Sequence, residues 1–241
     1  MKILGLDTAT STAGIAITDG ERVLAEARHD TRGRGADLLV AIDEVCRRAA
    51  VAPGALDAIA IGAGPGSFTG LRIGMATAKG IAFAAGRPLW AVSSLAALAD
   101  DAARELAREA PVEGAVICAA LDARRGEVFA GCFAGGAALG PERVMAPAEL
   151  AGWAHGLARA AAAPVLRFAG DAIDAYREVL GPVTAGADWL AARTPSGRAV
   201  ARLALAGAHV DVTRGGAPTY IRPSEAEVKY PDGVPGALRR R

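Results

Sequence analysis

Residues 56–92, LDAIAIGAGPGSFTGLRIGMATAKGIAFAAGRPLWAV, constrain the chain more than any other stretch, because glycine and proline cut them into pieces with incompatible backbone demands. Ile59 and Ile61 interleave with Ala58 and Ala60, a pattern that predicts a strand over 57–63 buried on both faces. Gly64-Pro65-Gly66 suits neither helix nor ladder, since proline lacks a donor and glycine reaches conformations closed to other residues. Ser67 then serves as an N-cap, and 68–85 suit a helix roughly 27 Å long, closed by Gly86 and Pro88. Such a loop can present free N–H groups to an anion, or it can be a plain strand-to-helix turn. Neither Gly-x-x-x-x-Gly-Lys-Ser/Thr nor Gly-x-Gly-x-x-Gly occurs in the loop, which favours the plain turn.

Within the helix, Gly70, Gly74 and Ala78 recur at intervals of four, leaving one edge nearly smooth. Each glycine costs roughly 1 kcal/mol relative to alanine, so something must offset it. Close approach of another backbone does so, either inside the fold or across a subunit boundary. Phe68, Leu71, Arg72 and Met75 flank the edge. Spacing alone leaves both readings open.

The remainder of the chain sets limits. Its 241 residues are 52% hydrophobic, with 27 Lys and Arg against 26 Asp and Glu. Such a chain buries a substantial core in one or two domains, and a net charge of +1 makes no global case for nucleic acid or an anionic membrane. Cys46, Cys118 and Cys132 lack any Cys-x-x-Cys spacing and read as reduced core residues of a cytoplasmic protein. Asp7 breaks the N-terminal apolar run too early for a signal peptide, and Arg72 and Lys79 make the long helix a poor membrane span. His29, His155 and His209 stand far apart, so no metal site is expected.

Element order shows a duplication. Strands over 2–7, 13–18 and 22–27 form a meander with Asp19-Gly20 as a hairpin signal, then a helix over 35–50, the strand and helix above, a strand over 89–92 and a helix over 94–109. Strands over 115–122, 127–133 and 143–145, a helix over 147–162, a strand over 165–169 and a helix over 171–180 repeat that order. The reading is α/β, with two β-β-β-α-β-α domains, 1–110 and 111–212, facing a cleft. A last helix over 196–209 and an irregular, solvated tail over 213–241, ending in Arg239, Arg240 and Arg241, complete it.

Duplicated units of this order, beginning Ile-Leu-Gly-Leu-Asp-Thr-Ala-Thr, resemble the actin, sugar kinase and Hsp70 superfold. Several motifs together resemble the bacterial TsaB (YeaZ) family nearly end to end: Asp7-Thr8-Ala9-Thr10 with Gly14-Ile15-Ala16-Ile17, Gly64 through Gly74, Ala78-Lys79-Gly80, Val92-Ser93-Ser94-Leu95, Leu121 through Val128, and Pro218-Thr219-Tyr220-Ile221-Arg222. The resemblance implies a non-catalytic scaffold subunit of the machinery that places threonylcarbamoyl on the adenosine beside the anticodon of tRNAs reading A-starting codons. It implies a homodimer when alone and a heterodimer with a larger, metal-binding TsaD-like paralogue that carries out the transfer. A TsaE-like ATPase joins the pair, and tRNA is reached through the complex. It assigns the partner interface to the glycine loop and helix: Gly66, Ser67, Phe68, Thr69, Gly70, Leu71, Arg72, Gly74, Met75 and Ala78. Gly74→Arg is then expected to abolish pairing and leave the monomer folded.

The resemblance also implies a vestigial nucleotide cleft at Asp7, Thr8, Thr10, Asp122, Arg124 and Gly170. Ala9 stands where kinases of the superfold use glycine, and the second turn, Ala123-Arg124-Arg125-Gly126, is bulky, so ATP or ADP is held weakly at most and no cofactor tightly. The alternative reading is an ATP-dependent small-molecule kinase or ATPase using Asp7. Metallopeptidase activity is not expected, because the His-x-x-x-His pair of the paralogue is missing. Arg34-Gly35 replaces a histidine common in the family.

Overall fold

A computed structural model describes residues 1–31, 36–109, 113–184 and 189–222. The first sheet starts as the expected meander: β1 (Lys2–Asp7), β2 (Thr12–Asp19) and β3 (Arg22–Asp30) pair antiparallel. After α1 (Ala36–Ala49), β4 (Ala58–Gly62) adds parallel to β1. Ser67 Oγ then accepts the Gly70 N–H at 3.2 Å and α2 (Phe68–Ala85) begins, ending at Gly86 in the left-handed region. Next, β5 (Leu89–Val92) extends the sheet parallel to β4 and leads into α3 (Ser94–Glu109).

The second sheet is built on a hairpin of β6 (Val116–Arg124) and β7 (Glu127–Ala134). Two short strands, β8 (Ala137–Ala138) and β9 (Arg143–Met145), pair with β7. After α4 (Pro147–Ala160), β10 (Leu166–Ala169) joins β6 in parallel. The helix expected over 171–180 is interrupted at Tyr176, which adopts a non-helical φ of −130°, giving α5 (Ala172–Ala175) and α6 (Arg177–Val183). The last helix, α7 (Gly197–Leu205), stops short of 209, and β11 (Val210–Asp211) pairs with β5 at the edge of the first sheet.

Alternation sorts each sheet into two cores. Leu4, Leu6, Ile15, Ile59 and Ile61 meet α1 and α2, while Ile3, Ala58 and Ala60 meet Val200, Ala201 and Ala204 of α7. In the second sheet Val116, Cys118 and Ala130 meet α4 through Leu150 and Ala154. The opposite face, with Ile117, Leu121 and Phe129, meets Leu95, Leu98, Ala102 and Leu106 of α3. The boundary expected at residue 110 therefore divides the chain but not its packing. Helix α3 covers the second sheet, whereas α7 and β11, whose residues lie within the expected second domain, 111–212, pack on the first. The approach of α7 is close enough to need bare backbone on both sides: a Cβ on Gly5 would overlap Gly197 O, and one on Gly14 would lie 2.6 Å from Pro195 O. Asp101 of α3 secures the start of α7, accepting from Ser196 N at 2.9 Å and Ser196 Oγ at 2.8 Å.

Residues 213–222 form no helix or strand, as expected of an irregular tail, but they are tied to the first lobe rather than left in solvent. Thr213 Oγ1 accepts from Leu89 N at 2.9 Å, and Thr219 N donates to Ala63 O at 2.7 Å. The terminal arginine cluster and Arg34-Gly35 lie outside the described residues.

Candidate docking helix and interlobe cavity

A cavity of about 770 Å³ opens between the lobes, a size suited to a small ligand. It is lined from the first lobe by residues 8–11, His29, Thr31, Leu38, 65–70, Arg72 and Ile73, from the second lobe by 122–125, Phe129 and Asp171, and by 219–222. Thr8, Thr10, Asp122 and Arg124 are thus brought together as the sequence suggested, but two of the expected cleft residues are not among the lining ones.

Asp7 is fully buried and faces away from the cavity. It shares the strand parity of Ile3 and Gly5, toward the helices on the far side of the sheet. Its Oδ2 accepts from Ser94 Oγ at 2.6 Å and its Oδ1 from Ala9 N at 2.8 Å. Gly62 leaves the room, since a Cβ there would overlap Asp7 Oδ2. Gly170, with φ of 122°, lies where a Cβ would overlap Ala120 O, so it is a packing glycine. Its neighbour Asp171 is the residue that reaches the cavity.

The second-lobe carboxylates are engaged with their own turn. Asp122 Oδ1 accepts from Arg124 N at 2.7 Å and Tyr176 Oη at 2.8 Å, and its Oδ2 pairs with Arg124 at 3.0 Å. Asp171 Oδ1 accepts from Asp122 N at 2.9 Å. Arg124 and Arg125 hold φ of 61° and 57°, left-handed positions that disfavour bulky residues. Burial pushes the Asp171 carboxyl up to about 6, against the Asp122 amide that lowers it. Among the described residues, no group of three or more His, Cys, Asp or Glu is placed to hold a metal.

Burial likewise pushes Asp7 up to about 6, opposed by Ser94 and the Ala9 amide. A carboxyl raised from 3.8 to about 6 on folding favours the fold fully below pH 3.8 and loses that contribution as pH rises through 6, a cost of about 3 kcal/mol above it. Asp7→Asn removes the charge and keeps the shape. It is expected to melt above the wild type at pH 8, with the gap closing toward pH 5, read by thermal denaturation across that range. A wild type more stable at pH 8 would mean that the ionised carboxylate is supported after all.

The smooth edge of α2 faces inward. A Cβ on Gly70 would overlap Thr8 O, one on Gly74 would overlap Thr8 Oγ1, and Ala78 is fully buried. Close internal packing against the β1 turn thus explains these glycines. Leu71 and Met75 are buried with them, and Gly66 is closed off by Ala9, whose Cβ a side chain there would meet at 2.5 Å. Of the ten interface residues suggested by sequence, Ser67, Phe68, Thr69 and Arg72 are exposed. The exposed stripe instead continues through Ala76, Gly80 and Ala84, beside Phe83, which is 91% exposed. A Cβ on Gly80 would meet nothing within 4 Å. On α1, packed on the same sheet face, Leu39 and Val40 are exposed as well. Sequence reasoning did not single out Ala76, Gly80 and Phe83 as exposed, although their spacing places them on the helix side that carries Arg72. Large apolar residues in the open of this kind mark interaction surfaces.

Two sheets of duplicated topology, helices exchanged between the lobes and a cavity between the first turn and the second hairpin define a protein of the actin, sugar kinase and Hsp70 superfold. The family model for TsaD, tRNA N6-adenosine threonylcarbamoyltransferase, matches residues 31–206. A solved Pseudomonas aeruginosa protein, described as similar to peptidase YeaZ, is 31% identical with a TM-score of 0.70, covering 92% of this chain and 99% of that one. The chain belongs to the TsaB (YeaZ) family. The tRNA threonylcarbamoyladenosine biosynthesis protein TsaB of Bacillus subtilis is 29% identical over 235 residues, 95% of this chain and 98% of its own length. The protein of the same name from Haemophilus influenzae is 38% identical over 134 residues, so the match spans about half of that relative, 52%, and 54% of this chain. No helix among the described residues is long and apolar enough to cross a membrane.

Proposed function

We propose that this chain is the non-catalytic scaffold subunit of a cytoplasmic tRNA threonylcarbamoyladenosine transferase complex. The outer face of α2 docks on a larger TsaD-like relative that carries the chemistry, or on a second copy when the chain is alone. A TsaE-like ATPase completes the complex, and tRNA is reached through it. The observation that carries the non-catalytic role is the placement of Asp7. Phosphoryl transfer needs a carboxylate turned toward the metal-bound phosphates, and here that carboxylate is held by Ser94 and Ala9 on the far side of the strand. The docking role is supported by the exposure of Phe83 and by the match to a TsaD family model, since two chains of one fold can pair through equivalent helices about a pseudo-twofold axis.

A second reading, binding of ATP or ADP, is favoured by the cavity volume and the hydroxyl-bearing Thr8 and Thr10 in its wall. It is confined to weak binding by the bulky turn at Arg124 and Arg125 and the alanine at position 9. Light scattering on a mixture with the larger paralogue from the same genome tests the leading reading: a 1:1 complex is expected, with no ATP hydrolysis by this chain alone. Failure to associate, together with a marked rise in melting temperature on adding ATP and magnesium, would replace the scaffold with the enzyme.

A further inference from the structure

Helix α2 carries two charged residues, Arg72 and Lys79, both cations on its exposed side. Among the described residues neither lies within ion-pair distance of a carboxylate. Both are held instead by residues 213–222, which run beside the helix from its C-terminal end to its N-terminal end. Lys79 Nζ donates to Gly216 O at 2.5 Å. Three residues later Thr219 N donates to Ala63 O, and the backbone passes so close that a Cβ on Gly64 would stand 2.9 Å from Thr219 O. Tyr220 Oη then accepts from Arg72 Nε at 3.1 Å, and its ring packs on Phe68 at 5.0 Å. The Arg72 guanidinium lies over the Phe68 ring at 3.8 Å.

The next two residues cross to the other lobe. Ile221 packs on the core under α3, and Arg222 Nη1 donates to Glu127 Oε2 at 2.8 Å at the start of β7. One short segment therefore grips both cations of α2 and fastens that grip to the second lobe.

We infer that residues 216–222 form a clamp that presents Arg72 and Lys79 to an acidic surface on the docked partner, the larger TsaD-like relative. The inference rests on α2 being the docking helix. The acceptors that hold the two cations, a main-chain carbonyl and a phenol, are neutral, so they fix the charges in place without cancelling them. A partner carboxylate then meets a charge already ordered, which lowers the entropy spent on docking. Tyr220 and Arg222 are positioning residues in this scheme, acting through Arg72 and Phe68.

The test uses the full chain, the larger paralogue and titration calorimetry at low and high salt. Wild-type pairing is expected to weaken with salt, as it does when exposed charges meet across an interface. Replacing both Arg72 and Lys79 by glutamine is expected to flatten that dependence and weaken pairing by on the order of tenfold or more. Tyr220→Phe keeps the ring and removes the acceptor, so a loss of a few-fold is expected with the melting temperature unchanged. Arg222→Ala frees the far anchor, and hydrogen exchange at residues 68–72 is expected to rise together with a loss of affinity. Pairing that ignores salt, or Tyr220→Phe and Arg222→Ala variants that bind as the wild type does, would overturn the clamp. Gly80→Arg serves as the separate control on the docking helix. If Gly80→Arg loses pairing while the clamp variants keep it, the clamp alone falls. If Gly80→Arg pairs normally, α2 is not the docking helix and both readings fall.

Discussion

Gly74→Arg is expected to prevent folding rather than to uncouple a folded monomer from its partner. A Cβ at Gly74 would overlap Thr8 Oγ1 and stand 3.1 Å from Thr8 Cβ and Cγ2. Thr8 has nowhere to go: it is 1% exposed, its Oγ1 donates to Gly70 O at 2.9 Å, and Gly70 is itself pressed against Thr8 O. Extra methylenes in a packed interior cost about 1–3 kcal/mol, and a guanidinium buried without a carboxylate costs several more. The sum is on the order of the whole stability of a domain, ~5–15 kcal/mol. Soluble yield and the circular dichroism melt check it. The expected result is an aggregated chain or one melting at least ~10 °C below the wild type, since 1 kcal/mol moves a chain of this size by about 2–4 °C. A normal melt would place the inner edge of the helix at the surface.

That substitution shows what a single chain makes legible and what it hides. The limits of α2 were readable because they rest on local chemistry: a serine cap, a glycine in the left-handed region and a proline beyond it. The side of α2 that meets the core was not readable. Gly70, Gly74 and Ala78 form one small-residue edge, and Ala76, Gly80 and Ala84 form another at the same spacing. Only the β1 turn, brought against the first edge by long-range pairing, distinguishes them. The duplicated order of elements was likewise legible, whereas the exchange of α3 and α7 between sheets was not, because an apolar helical stripe does not say which sheet it covers. The fixed points of that exchange, Gly5, Gly14 and Gly197, look like ordinary strand and turn glycines in the sequence. Asp7 stands out in the sequence at the end of the first strand, but its direction depends on Ser94 and Gly62, which lie far from it in the chain. Residues 219–222 have no periodicity at all. Their order comes from Ala63, Arg72 and Glu127, three contacts visible only once the lobes are assembled.

Gly80→Arg, the same change six residues further along the helix, is expected to do the opposite. Nothing lies within 4 Å of where its Cβ would stand, so the side chain enters solvent without moving a neighbour. Arginine is also the better helix former by roughly 0.6–1 kcal/mol, so the isolated chain is expected to melt about 1–4 °C higher. Docking is another matter. Two helices packed 8–10 Å apart need small residues where they cross, and Ala76, Gly80 and Ala84 supply them on the side where Phe83 stands ready to bury its ring. A fully buried phenylalanine contributes about 1.5–3 kcal/mol, and an arginine wedged beside it both holds the helices apart and must shed its hydration. The expected loss of affinity for the larger paralogue is at least about a hundredfold, or about 2.8 kcal/mol, with self-association weakened in parallel. Light scattering and sedimentation read the pairing, and the melt is read on the same sample. Lost pairing in a chain that melts higher than the wild type would separate docking from folding, which no substitution on the inner edge can do. Retained pairing would move the docking surface off α2 altogether, and the exposed Leu39 and Val40 on α1 would become the next place to look.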